Sequence, residues 1–301
     1  MSEFRVDSIT SSVSDSGLQI AGITTFTDSS GMILPTGNTY DRVVSQLVLS
    51  KTIPTEGLKV FLDGKDPLSN DFNDPEFVWK NVGPDSNIPH GYPGSRDTEV
   101  TKNLLSLPTR IDGVGFDFTG GTSGEGIDIP LNNKEIFNNG AGTLFAFINP
   151  DDITTRQTLI SGYGSGDHRW DFEIRTSSDL GGGNHDDNYY NMSVDFVQYT
   201  WQSFAVTLDQ KGTNGEERYN TQTHYMNGVL DSTHSQTTAN RGLYGGTDAF
   251  LSLARRSTQK ENFEYDGKFG VFLAYNRVLS ASEILTLHNT FKGRYELWVF
   301  H

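Results

Sequence analysis

The 301-residue chain contains no cysteine. Disulfides and thiolate zinc sites are therefore excluded, and the redox compartment leaves no mark on the sequence. No apolar run is long enough to span a bilayer, so no membrane insertion is expected. Met1 is not followed by the basic-then-apolar pattern of a secretory leader, so an extracellular role is expected to need release by lysis or an unusual export route. Basic residues are in deficit: 23 Lys and Arg stand against 38 Asp and Glu, a net charge of −15. That balance argues against a nucleic acid partner. Sustained helical periodicity is scarce, and no repeat of solenoid period is visible.

Glycine and aromatic residues are plentiful, with 32 Gly and 12% Phe, Trp and Tyr. This composition predicts many short strands joined by tight turns. All-β sandwiches often exceed about 200 residues as one domain, so one large domain with an appendage is the expected organisation.

The most legible stretch is near the C-terminus. Phe269, Val271 and Leu273 alternate with Gly270, Phe272 and Ala274, the pattern of a strand packed mainly on one face. Ser280 stands three residues before Glu283, the spacing of a capping box. Ile284, Leu287, His288 and Phe291 then follow at i, i+3, i+4 and i+7 and form a mostly apolar helical stripe. His288 on that stripe reads as a packed, hydrogen-bonded core residue. Lys292-Gly293 predicts a cation and a left-handed stop.

This ending resembles the last strand and terminal helix of laminin-G-like domains. Gly57–Asp63, Phe77–Asn81, Gly142–Pro150, Trp201–Asp209 and Tyr225–Leu230 resemble the family's other strands, the last of them holding an Asn227-Gly228 turn. Gly115–Gly120 and Gly126–Pro130 resemble two strands that the family pairs with each other. The resemblance implies a concanavalin A-like jelly-roll β-sandwich over residues 57–294, all-β apart from one short C-terminal helix. Residues 1–37 are expected to be an extended, β-rich N-terminal arm, 38–56 a connecting segment read as a strand or short helix and taken as a strand, and 295–301 a tail.

Phe4–Ile9 and Gly17–Phe26 are short alternating segments, too sparse to bury a core of their own. A solvated tail and an arm that orders on other subunits are both open readings. Met1–Thr10 with Ala21–Phe26 resembles the N-terminus of virion structural and fibre proteins of contractile-tailed phages of marine cyanobacteria, and Phe291–Tyr295 resembles their common ending. The resemblance implies a virion subunit, assembled in the host cytoplasm and released by lysis, with other virion subunits as partners and a homo-trimeric state. Phe4, Val6, Ile9, Leu18, Ile20, Ile23, Phe26, Trp298 and Phe300 are the expected assembly residues.

The same fold carries glycosidases, which need two carboxylates flanking the scissile bond. The nearest stretch is Trp170–Arg175, where Asp171 and Glu173 share a strand face. The third acid of the related glucanases is missing and Arg175 stands in its row, so an ion-paired, solvated strand without catalysis is expected. Laminin-G-like domains often hold calcium at the rim, and calcium takes six to eight oxygens. Asp63, Asp66, Asp71 and Asp74 are the candidate donors for a structural ion, against the simpler reading of a solvated acidic loop; no other cofactor is expected. The histidines show no pair at metal spacing. For a host surface glycan, ring stacking points to the Gly-rich aromatic segments 162–170 and 181–190, with Tyr163, His168, Trp170, Asn184, His185, Tyr189 and Tyr190 as candidate contacts. Trp79 and Trp201 are expected in the core.

Overall fold

The computed structural model describes residues 53–66, 68–70, 78–84, 90–93, 107–121, 125–129, 141–163, 169–184, 188–209, 221–235, 250–256 and 263–295. All fall in one unit of the chain, Val44–His301. The expected assembly residues, the connecting strand before Ile53, and Trp298 and Phe300 lie outside the described residues.

Among the described residues fifteen strands precede one helix. They are β1 Leu58–Asp63, β2 Tyr92–Pro93, β3 Thr109–Ile111, β4 Gly115–Gly121, β5 Ile127–Ile129, β6 Gly142–Pro150, β7 Gln157–Tyr163 and β8 Arg169–Ile174. There follow β9 Asp179–Asn184, β10 Asn188–Asp195, β11 Gln202–Asp209, β12 Thr221–Met226, β13 Val229–Ser235, β14 Phe250–Leu253, β15 Glu264–Tyr275 and the helix α1, Ala281–Tyr295. The strands form two antiparallel layers. The first runs β13-β12-β11-β6-β15, and the far edge of β15 is shared by β4 and β1. The second runs β10-β9-β8-β7-β14-β5-β2. One parallel bridge, Glu264 to Thr158, joins them. β4 and β5, expected to pair, lie in different layers: β4 pairs with β3 and β15, and β5 with β14 and β2.

Two cores result. Between the layers pack Leu144, Ala146, Ile148, Phe204, Val206, Phe172, Trp170 and Trp79. On the outer face of the first layer, Phe145, Phe147, Val271 and Leu273 pack against Ile284, Leu287 and Phe291 of α1. β6 is therefore buried on both faces and reads as a near-continuous apolar run. The central β6–β11 pair was legible in the sequence; the second core reflects the helix lying across the strands.

Local rules account for the joints. Asn227 and Gly228 both have positive φ, 52° and 77°, as a two-residue hairpin turn with matching twist requires. The capping box is formed: the Ser280 amide donates to Glu283 Oε2 at 2.8 Å, and the Glu283 amide to Ser280 Oγ at 3.3 Å. His288 is buried, with Nδ1 2.9 Å from Ser203 Oγ. Two expectations fail. Gly293 does not stop the helix, which runs on to Tyr295 because Phe291 and Tyr295, one turn apart, both bury on the first layer. β15 is not packed mainly on one face: it lies between the two cores, with Phe272 and Ala274 in one and Val271 and Leu273 in the other, and a bulge at Gly270 turns Phe269 to the side opposite Val271.

Candidate functional site

Trp170, Phe172 and Ile174 of β8 point into the core, so Asp171 and Glu173 project from the opposite face of the second layer. Strand register extends that face into a polar row: Asp128, Ser252, Ser161, Asp171 and Gly183 are successive cross-strand neighbours. Every member is buried, and Glu173 is 0% exposed. Buried polar groups must find partners, and these do. Ser252 Oγ donates to Asp128 Oδ1 at 2.7 Å, and Arg255 pairs with the other Asp128 oxygen. Ser161 Oγ donates to the Arg255 carbonyl at 2.8 Å.

The arginines arrive through a backbone irregularity. Ala254 is buried with φ of 66°, a left-handed conformation that alanine rarely adopts. It interrupts strand alternation: Leu253 and Ala254 both face the core, while Arg255 and Arg256 both reach the polar face. Arg256 bridges the two acids, with Nε 3.0 Å from Asp171 Oδ2 and Nη2 2.8 Å from Glu173 Oε1. Arg156 Nε and Arg175 Nη1 meet Glu173 Oε2 at 2.6 and 3.2 Å. The guanidiniums of Arg156 and Arg256 lie 4.7 and 4.8 Å from the centroid of the Phe263 ring. The acids are thus ion-paired as expected, but buried rather than solvated. Carboxylates ringed by guanidiniums act as acceptors, the opposite setting from a general acid that must deliver a proton. Sequence reasoning missed Asp128, Arg156, Arg255, Arg256 and Phe263; the Arg255-Arg256 doublet directly after an apolar strand was the available signal.

The two segments expected to bind ligand meet at one end of this layer. Tyr163 pairs with Arg169, Trp170 with Asn184, and Asn184 with Asn188, so the β7–β8 and β9–β10 hairpins share a rim. Gly181–Gly183 are not an adaptable loop but part of β9. The reason is steric. A Cβ at Gly182 would overlap the Phe172 ring, and one at Gly162 would overlap the Trp170 indole. Trp170 is accordingly a core residue, 1% exposed, and offers no exposed platform. Tyr190 is half-buried and stacks on His234, ring centroids 4.4 Å apart. Tyr163, Asn184 and Tyr189 are placed here by their backbones, whereas His168 and His185 lie outside the described residues.

Of the candidate calcium donors, Asp71 and Asp74 lie outside the described residues. Asp63 is buried and paired with Arg294, and its Oδ1 accepts from the Lys65 amide at 3.0 Å. Asp66 Oδ1 accepts from the Leu68 amide at 2.8 Å. Burial, together with the nearby charge of Arg294, lowers the Lys65 pKa to about 8. Among the described residues no three acids or histidines gather as a metal site. A carboxylate already facing Arg294 does not fit calcium. Trp79 is in the core as expected, and Trp201 packs on Phe147 and Tyr295.

Comparison with known proteins places this geometry. Residues 121–285, more than half of the chain, match the laminin G type 3 family, described as the Concanavalin A-like lectin/glucanases superfamily. The chain belongs to this family. Its fold is similar to that of Trypanosoma rangeli sialidase in complex with 2,3-difluorosialic acid, with a TM-score of 0.56 at 14% identity over 85% of this chain. The chain spans 39% of the length of that sialidase. It is also similar to domain 4 of AbnA, an extracellular arabinanase from Geobacillus stearothermophilus in complex with arabinotriose, with a TM-score of 0.51 and 15% identity. There the match covers 78% of this chain and all of that domain. No curated protein matches the chain in sequence.

Proposed function

We propose that the chain is a non-catalytic subunit of a virus particle that exposes its sandwich as a glycan-adhesion surface. The observation that carries the non-catalytic part is the coordination of Glu173. Both of its oxygens accept from guanidinium groups, and the neighbouring Asp171 is held by Arg256. Glycosidic cleavage needs one carboxyl to give a proton while a second attacks or activates water. This pair is arranged for neither task. The saccharide part is supported by the lectin-like fold, by the shared rim of the two hairpins, and by the arabinotriose held by a domain of similar fold.

The particle setting rests on the N-terminal resemblance to phage structural proteins. Under it, residues 1–37 anchor the chain to other subunits as a homo-trimer, and the tail with Trp298 and Phe300 adds to that contact. The alternative is a free lectin-like module. Two measurements decide. The purified chain is applied to a glycan array and, separately, incubated with the glycans it retains. Retention without turnover is expected; turnover abolished by Glu173→Gln would overturn the reading. Mass spectrometry of purified particles should find the chain, and its absence there with glycan binding intact would favour the free module.

A further inference from the structure

Behind the shared rim of the two hairpins, the space between the layers is lined by polar groups. Met226 of β12 joins the core between the layers. By strand alternation His224 and Gln222, two and four residues earlier, face the same way, and both are buried. Their cross-strand partners on β13 are Ser232 and His234. The second layer meets them here. Gln222 Nε2 donates to the Gly182 carbonyl at 3.0 Å, and the Tyr190 ring stacks on His234. Gly182 and Tyr190 each lie two residues from the paired rim residues Asn184 and Asn188, so this polar cluster sits directly behind the rim.

The hydrogen bonds of the cluster do not close. Both Gln222 amide hydrogens are engaged, one by the Gly182 carbonyl and one by His224 Nε2 at 2.7 Å. The amide cannot be turned over, because its oxygen would then face that carbonyl. With Nε2 accepting, His224 carries its proton on Nδ1, toward Ser232 Oγ at 3.4 Å. Gln222 Oε1 is left buried with no hydrogen-bond partner, on a side chain that is 0% exposed. On the residue that faces it across the strands, His234 Nε2 is buried and unpartnered too. Buried polar atoms in folded proteins are nearly always paired. Two orphans on one cross-strand pair mark a place where another molecule belongs.

We propose that Gln222 and His234 bind the hydroxyls of an uncharged saccharide unit that enters from the rim. An orphan acceptor needs a donor, which an ionised carboxylate, sulfate or phosphate does not offer. A hydroxyl both donates and accepts, so it satisfies Gln222 Oε1 and either tautomer of His234 at Nε2. Asp231, next to Ser232 in sequence and bound by the Ser193 amide at 2.9 Å, further disfavours an anion. The stack on Tyr190 holds the His234 imidazole in place before any ligand arrives. The inference rests on the glycan-adhesion reading and adds to it the residues that touch the sugar and the class of sugar they select.

The test applies the full chain to an array of neutral and sialylated oligosaccharides. The wild type should retain neutral ones. His234→Phe keeps a ring to stack on Tyr190 and removes the nitrogens. It should weaken retention at least about tenfold, as the loss of one buried hydrogen bond to a ligand does, at an unchanged melting temperature. Gln222→Met should weaken retention as much, with a lower melting temperature because the bonds to Gly182 and His224 go as well. Should one variant fail to fold, the other decides. Unchanged retention in the folded variants would show that the two atoms hold an ordered water only, and would overturn the inference while leaving the adhesion reading intact. Retention confined to sialylated oligosaccharides would overturn the uncharged class. A wild type that retains nothing would overturn the inference and the adhesion reading together.

Discussion

Gly270 lies beneath the ring of Tyr295, whose hydroxyl donates to the Gly270 carbonyl at 2.7 Å and to the Val114 carbonyl at 3.0 Å. A Cβ at Gly270 would come within 2.6 Å of that ring. Gly270→Ala should therefore cost about 1–3 kcal/mol, the range for overpacking a filled site. Urea unfolding would give the loss, and near-UV dichroism should report a displaced Tyr295. An unaltered spectrum with wild-type stability would show that the ring moves aside freely.

Arg256 is the shared partner of Asp171 and Glu173, and its own side chain is 7% exposed. Arg256→Met keeps the volume but removes the cation, so both buried acids lose a partner. The expected cost is about 3–5 kcal/mol, typical of breaking a buried pair on one side. Arg175, with 32% of its side chain exposed, should matter less when changed to Met, within about 1 kcal/mol. Chemical denaturation of both variants checks the ranking.

Gly228 combines a φ of 77° with a tight approach to α1, where a Cβ would stand 2.9 Å from His288 Cβ. Gly228→Ala meets both penalties and should destabilise by more than about 1 kcal/mol. Gly113 also has positive φ, 63°, but faces open space, so Gly113→Ala should cost less. Thermal melts of the two variants separate steric from backbone strain.

His224 links acidity to stability. Burial, with the nearby charge of His234 second, lowers its pKa from 6.5 to about 3. Its Nε2 accepts from the Gln222 amide at 2.7 Å, as a neutral imidazole should. Between pH 6.5 and 3 the unfolded chain binds the extra proton and the folded chain does not. Stability should therefore fall as pH drops through that window, by up to about 1.4 kcal/mol per pH unit. Glu283 acts in the same sense lower down: its bond to Arg277 holds it at about 2, so its contribution is present above 4.5 and lost from 4.5 to 2. At the surface that share is small. Urea midpoints measured from pH 7 to 4 should decline, and His224→Gln should flatten the slope.

What the sequence disclosed follows the range of the forces involved. The Asn227-Gly228 turn, the Ser280–Glu283 cap and the helical stripe are local, and each formed as read. Gly181–Gly183 and Trp170 were misjudged because a glycine under a cross-strand ring looks, in one dimension, like a glycine in a flexible loop. Gly293 failed as a stop because Tyr295 finds its burial in a strand distant in sequence. The polar face was hidden for a different reason. Alternation cannot place two consecutive arginines on one side, and the residue that does so, Ala254, carries no composition signal for a positive φ.

β15 has a consequence for how the chain is made. It alone borders β6, β4 and β1 and touches β7, and Leu58 finds its partner only at Tyr275. During synthesis the earlier strands thus emerge with an unfilled slot between them. The first layer cannot close until residue 275 has left the ribosome, so its folding is dominated by distant contacts. Nascent chains shorter than that carry open strand edges and bare aromatic faces, and they are natural clients for a holding chaperone.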